Sequence, residues 1–393
     1  MLCWSLVSYS QHKFPSGHFC GSPEGAQSIE CQAIQGIMDD TPDKVVVFPH
    51  RGVWGEEGVP DLSMKALENA YREGYLFCEI DLMLTKDNCL VLFHDQQTNK
   101  ATNAPPTFST DGGVIDPGNF VRSLNMASST TNSVPDPFGI NYSYFPPLND
   151  LYLLDRFGDL TTERMTTFEH FCLKFKDAPM VFSLDFKAVN LNSTHVKQEY
   201  MDAIKEALKI GKKYNMLYKL IFKPGSSGDL SVQELKDVLL QVDLWDDFAY
   251  HTNLILVDVF GSASPLAYNK EYIDSWLAIP SLIGVEYIYK DNDDEFLKKK
   301  EEFGNMSIIE YTKSKGIKTG VFRTIPGSAI GVAGGRGNYF NPSSFNIKDV
   351  RGNLEFLFNV GEGNEPSMIV TDRPDMDLEF LKAFGKASRW NKR

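Results

Sequence analysis

Eight short runs of apolar and β-branched residues recur along the chain, at 44–48 (KVVVF), 75–82 (YLFCEIDL), 180–186 (MVFSLDF), 218–223, 254–259 (LILVDV), 282–288, 317–323 and 368–371 (MIVT). Each has the length and composition of a buried strand. Between most of them lie stretches with apolar residues at helical spacing, at 62–73, 195–213, 231–241, 268–279 and 293–315. Parallel strands need a crossover long enough to hold a helix, so this alternation is the pattern of an α/β protein with a parallel sheet. Eight such units predict a closed (β/α)₈ barrel. The 393 residues exceed the roughly 250 that such a barrel typically needs.

The surplus falls in three places. Residues 1–43 mix Ser, Gly, His, Pro and Gln without clear periodicity and read as an N-terminal arm, which leaves 44–393 for the barrel. From 96 to 150 the chain is rich in Thr, Asn, Ser, Pro and Asp, too long for an ordinary loop, and reads as an insertion between strand two and its helix. A third stretch, 325–348, carries IPGSAIGVAGGRGNYFNP after strand seven. Its Gly331–Gly337 segment lacks the Lys-Ser/Thr of a P-loop and reads as a flexible lid. Both interruptions fall where a strand passes into its helix, the side on which barrels place their active sites.

Hydrophobic residues make up 42% and charged residues 23%, which excludes a disordered chain. Lys and Arg number 39 against 52 Asp and Glu, a formal charge of −13. That field repels polyanions, which argues against a nucleic-acid partner and against docking on an anionic bilayer by charge. A local positive pocket for one phosphate stays compatible with it. No apolar run approaches the ~18 residues of a spanning helix, so no transmembrane segment is expected. Met1–Ser10 lacks the basic start and long apolar run of a secretory signal. The six cysteines (Cys3, Cys20, Cys31, Cys78, Cys89, Cys172) contain no C-x-x-C pair, which disfavours zinc and leaves the compartment open.

Chemistry-bearing residues gather at the ends of consecutive strands. Strand one ends in His50-Arg51-Gly52, an imidazole beside a permanent guanidinium. Strand two carries Glu79-Ile80-Asp81, and the two-residue strand period puts both carboxylates on one face. Two like charges held together call for a basic side chain or a hard divalent ion. The chain then turns at Lys86-Asp87-Asn88 and returns through Leu90–Phe93 to His94-Asp95. Strand three ends in Asp185-Phe186-Lys187, again two charges on one face. Three acids, two histidines, an arginine and a lysine at three strand ends suit cleavage of a phosphoester. Lys223, Asp258, Glu286, Phe322 and Arg323 also lie near strand ends. Structural pairing and a place in the site are equally consistent for the charged ones.

In order and spacing these residues resemble the glycerophosphodiester phosphodiesterase family. HRG, PDLSMKALENAYREG, EID, TKDN, LVLFHD and NKATN follow one another over 50–103, and TDRPD (Thr371–Asp375) matches the family's closing strand and turn. The resemblance implies a TIM barrel with a small insertion after strand two. It also implies that His50 and His94 act as general acid and base, that Arg51 and Lys187 bind phosphate, and that Glu79, Asp81 and Asp185 hold a divalent cation, Mg²⁺ or Ca²⁺. The expected substrate is a small phosphodiester or lipid head-group ester. Asp185 stands where the family usually has Glu, as in the related sphingomyelinase D and phospholipase D toxins, so cleavage of a lipid head group is the rival reaction. A barrel that binds a head group or a protein without turnover is the rival outside enzymes. Asp61 and Leu62 replace the Glu-Asn of the family's P-E-N-T motif.

Overall fold

The computed structural model describes residues 13–39, 44–95, 98, 101–104, 121, 126, 132–134, 142–145, 147–188, 193–224, 230–258, 270–287, 297–323 and 365–393. The glycine-rich 325–348 stretch, much of the 96–150 insertion and the side chain of Asp258 lie outside them. All eight expected runs form parallel barrel strands: β1 (Val46–Pro49), β2 (Phe77–Leu84), β3 (Val181–Phe186), β4 (Leu220–Lys223), β5 (Asn253–Asp258), β6 (Leu282–Tyr287), β7 (Lys318–Arg323) and β8 (Met368–Thr371). Each pairs with its successor from β2 to β8, and β8 pairs with β1. A parallel bridge between His50 and Glu79 links β1 to β2 and closes the TIM barrel.

Alternation along each strand divides its side chains between two apolar layers. Phe182, Leu184, Phe186, Leu220, Phe222 and Leu254 face the outer layer, packed under the helices. Inside the barrel, Val46, Phe48, Phe77, Val181, Ile221, Ile255, Ile283 and Met368 fill one end. Continuing inward by twos toward the other end gives His50 on β1, Glu79 and Asp81 on β2, Asp185 on β3 and Lys223 on β4. In β6 the phase changes, because the β5–β6 register slips by one residue between Leu254 and Ile255. Ile283 and Glu286, three apart, therefore both reach the interior.

The helices follow the expected crossovers: α2 (Met64–Arg72), α3 (Phe168–Phe175), α4 (Ser193–Lys213), α5 (Val232–Leu240), α6 (Lys270–Leu277), α7 (Ile308–Ser314) and α8 (Pro374–Ala383). The 293–315 segment gives a shorter helix than its spacing predicts. Gly304 and Asn305 take left-handed backbone, and Ser307 then starts α7 with a capping box. In the N-terminal arm a helix that composition did not announce, α1 (Ile29–Asp39), packs Ala33, Ile34 and Ile37 onto the apolar end of the barrel. Gly36 gives Trp390 its place, since a Cβ there would meet the indole nitrogen at 1.8 Å. A Cys20–Cys31 disulfide ties the preceding loop to α1.

Between β2 and α3 the chain makes a hairpin strand (Leu90–Leu92) antiparallel to β2, then a separate hairpin of Tyr152–Leu154 with Leu160–Arg164. Met83, Val91, Phe93, Leu148, Leu151, Leu153 and Met165 form a small apolar core of their own beneath it. No helix among the described residues is long and apolar enough to cross a membrane.

Candidate active site

The barrel closes at the site itself. His50 donates its backbone N–H to Thr371 O on β8, and Arg51 donates its own to Glu79 O on β2. Arg51 and Gly52 then take left-handed backbone, with φ of 62° and 90°. At position 52 only glycine fits, because a Cβ would lie 2.7 Å from the Ala66 backbone. The turn thereby brings α2 close under the loop, where Val53 N bonds Ala66 O.

Glu79, Asp81 and His50 are buried, and one donor atom from each lies within 4.8 Å of the others. His50 Nε2 is 3.8 Å from Glu79 Oε2, while its Nδ1 bonds Asp372 Oδ1 at 2.6 Å. Asp372 lies in the closing TDRPD motif, which sequence reading takes as a strand and turn without giving this residue a task. Phe322, near where the family commonly has Trp, meets the His50 ring edge-on at 4.7 Å between centroids.

Asp81 is held between two cations. Arg51 Nε reaches Asp81 Oδ2 at 2.7 Å and Lys187 Nζ reaches Oδ1 at 3.2 Å, with Lys187 also 3.0 Å from Asp185 Oδ2. Arg51 spans further to Asp61 at 3.1 Å, so the residue that replaces the family's Glu keeps an acid beside this guanidinium. Cross-strand register sets Asp81 opposite Asp185, and Asp185 opposite Lys223, in one rung of the barrel. Lys223 Nζ pairs with Glu286 Oε2 at 3.1 Å inside the barrel.

Burial raises the pKa of Glu79, Asp81 adds to it, and the result lies well above the ordinary carboxylate range. For Asp81 the same burial is outweighed by Arg51 and Lys187, which hold it far below that range. Burial, with Arg51 behind it, lowers His50 against the pull of Asp372, so the imidazole is neutral near pH 7. Lys187 is held charged by Asp185 and Asp81 despite its burial.

The expected residues thus converge unequally. His50, Arg51, Glu79, Asp81, Asp185 and Lys187 meet in one cluster. His94 sits at its edge, part-exposed, within electrostatic reach of Asp81 and bonded to Asp95 at 3.3 Å. Lys223 and Glu286 join from the neighbouring rung. Arg323 turns the other way: by the strand period it follows Val321 to the outer layer, where it pairs with Asp377 of α8 at 2.5 Å.

The donor set suits a hard divalent cation. Asp185 Oδ1 is buried without a hydrogen-bond partner, and the raised Glu79 carboxyl sits where a positive charge would stabilise its anion. The carboxylate oxygens of Glu79 and Asp81, with His50 beside them, fit such an ion better than a soft metal, while Asp185 lies outside that convergent group.

Comparison with known proteins agrees with this geometry. A glycerophosphodiester phosphodiesterase of Bacillus subtilis (strain 168) is 35% identical over 120 residues, covering 30% of this chain and 38% of that protein. The match thus spans well under two thirds of that relative's length. The structure of a glycerophosphoryl diester phosphodiesterase from Parabacteroides distasonis ATCC 8503 has a TM-score of 0.52 at 15% identity, covering 91% of this chain and 92% of that one. A Silicibacter pomeroyi DSS-3 protein assigned the same activity gives 0.53 at 13% identity, covering 90% and 99%. At these identities the two structures bear on the fold, which is shared along almost the whole chain. The model of the glycerophosphoryl diester phosphodiesterase family matches residues 50–314, more than half of the sequence and every clustered residue from His50 to Glu286, and the chain belongs to that family.

Proposed function

We propose that this protein hydrolyses glycerophosphodiesters to glycerol phosphate and an alcohol, with His50 and His94 moving the protons. The observation that carries the reading is the buried His50, Glu79 and Asp81 cluster flanked by Arg51 and Lys187. It combines a proton carrier, anionic ligands and fixed positive charge within one pocket. The name of the Bacillus subtilis relative points to the same substrate class.

His50 holds its Nδ1 proton against Asp372, which leaves Nε2 with a lone pair turned toward Glu79. From there it takes the proton of the attacking oxygen as the new P–O bond forms. His94, on the return from the β2 hairpin, gives a proton to the leaving alkoxide as the old P–O bond breaks. Arg51 and Lys187 bind the non-bridging phosphate oxygens. A divalent cation held by Glu79, Asp81 and Asp185 would offset the charge that builds on those oxygens.

The test is ³¹P NMR of glycerophosphoglycerol and glycerophosphocholine incubated with the protein in EDTA, Mg²⁺ or Ca²⁺. Glycerol phosphate forming only with an added ion supports the reading. Turnover unaffected by EDTA removes the cation from it. No product with any ion, together with choline release from sphingomyelin vesicles, replaces it with lipid head-group cleavage.

A further inference from the structure

Two arginines stand near the reacting centre, within electrostatic reach of Asp372. Arg373 directly follows Asp372, whose carboxylate is bonded to His50. Arg156 comes from the turn of the 152–164 hairpin, far away in sequence, and is docked there by that hairpin's contacts. Asp155 accepts the Gly58 N–H at 2.9 Å, and Arg156 Nη1 donates to Gly55 O at 3.4 Å. Gly55 adjoins Trp54, whose indole N–H donates to His50 O at 2.8 Å. Arg156 is therefore anchored one residue from a group bonded to His50, and Arg373 follows another such group in sequence.

The nearby acids are already committed. Asp372 is taken by His50, and Asp155 accepts the backbone N–H groups of Gly58, Phe157 and Asp159. Arg156 otherwise lies over the ring of its neighbour Phe157, at 5.3 Å. Among the described residues neither arginine forms an ion pair with a carboxylate. The two also act on each other, since burial and then Arg373 lower the Arg156 pKa against the pull of Asp372 and Asp155. Guanidinium groups stay charged in proteins, so this is a standing repulsion, held in a chain whose net charge is −13. Two guanidinium forks beside a phosphodiester site, neither ion-paired with a carboxylate among the described residues, are suited to binding an anion bidentately.

We propose that Arg156 and Arg373 form a second anion-binding subsite, which selects diesters whose alcohol bears its own carboxylate or phosphate and disfavours those whose alcohol is a cation. The inference rests on the hydrolase reading above and adds the substrate class to it. The specificity has an attractive part, the anion in the fork, and a repulsive part, the cation facing two positive charges.

The test compares kcat/KM for glycerophosphoinositol 4-phosphate, glycerophosphoglycerol and glycerophosphocholine, whose alcohols are anionic, neutral and cationic. The unaltered protein should rank them in that order. Arg156→Gln and Arg373→Gln should each lower the anionic-to-neutral ratio about tenfold, through KM, as expected for loss of one desolvated charge contact. Arg156→Lys should recover only part, because it restores charge without the fork. The same ratio in all these proteins overturns the subsite. Calorimetric binding of the three diesters to His94→Ala protein reads the preference without turnover. A binding preference with no hydrolysis by the unaltered protein would overturn the hydrolase reading and keep the subsite; hydrolysis with flat selectivity would do the reverse.

Discussion

The two ends of one barrel are built from the same strands and filled with opposite chemistry. On β2 the inward positions run Phe77, Glu79, Asp81, on β3 Val181, Ser183, Asp185, and on β4 Ile221 and Lys223. At the end where the strands begin, these side chains form an apolar plug capped by Ala33, Ile34 and Ile37 of α1. At the end where they finish, the interior holds a charged network in which Glu79, Asp81, Arg51, Lys223 and Glu286 are buried and Asp185 and Lys187 part-exposed. The apolar end stabilises by removing surface from water. The charged end gains little in this way, because desolvating ions costs about as much as their pairing returns. One end holds the fold together and the other is held by it.

Three experiments press on that contrast, in falling order of expected effect. His50→Ala and His94→Ala should each lower kcat by about 10²–10⁴-fold, the usual contribution of a positioned acid or base, with an unchanged melting temperature for His94→Ala. Comparable turnover in either variant would remove that histidine from the chemistry. Next, Lys223→Met leaves Glu286 buried without its cation and should cost about 3–5 kcal/mol in urea unfolding, whereas Lys223→Met with Glu286→Leu should recover most of it. Ile34→Ala at the opposite end should cost about 2–5 kcal/mol with no compensating partner change available. If the double substitution were as unstable as the single, the charged end would be contributing stability after all.

The smallest effect is a pH dependence at the apolar end. His18 is buried, its Nδ1 accepts the Cys20 N–H, and burial followed by the nearby His251 lowers its pKa to about 4. The unfolded chain protonates this group below its ordinary value of 6.5 while the folded chain does so only near 4. Its contribution is therefore intact above pH 6.5 and is lost as pH falls toward 4, by up to about 3 kcal/mol. His18→Asn, which can still accept the Cys20 N–H, should flatten the melting temperature between those pH values. An unaltered pH slope would show that His18 is not its source.

Much of this was written locally. Strand and helix periods recur within a few residues, so eight strands and the same-face pairing of Glu79 with Asp81 and of Asp185 with Lys187 could be read along the chain. Helix α1 escaped because its apolar positions answer to Trp390 and to the barrel floor, and the arm's composition resembles a loop. Arg323, at a strand end, was equally consistent with structural pairing and a place in the site, and the strand period turns it outward to Asp377. Glu286 needed the register slip in β6 to turn inward, and a slip depends on how two strands meet.

The sequence by itself determined the barrel class and the residue types at its catalytic end, because alternation with periods of two and 3.6 is a property of neighbours along the chain. Only the tertiary structure decided that Asp372 bonds His50 across 322 positions and that Arg156 comes within electrostatic reach of Arg373. Such contacts are set by the closure of the barrel and the docking of a hairpin, through distances in space that no spacing in sequence encodes.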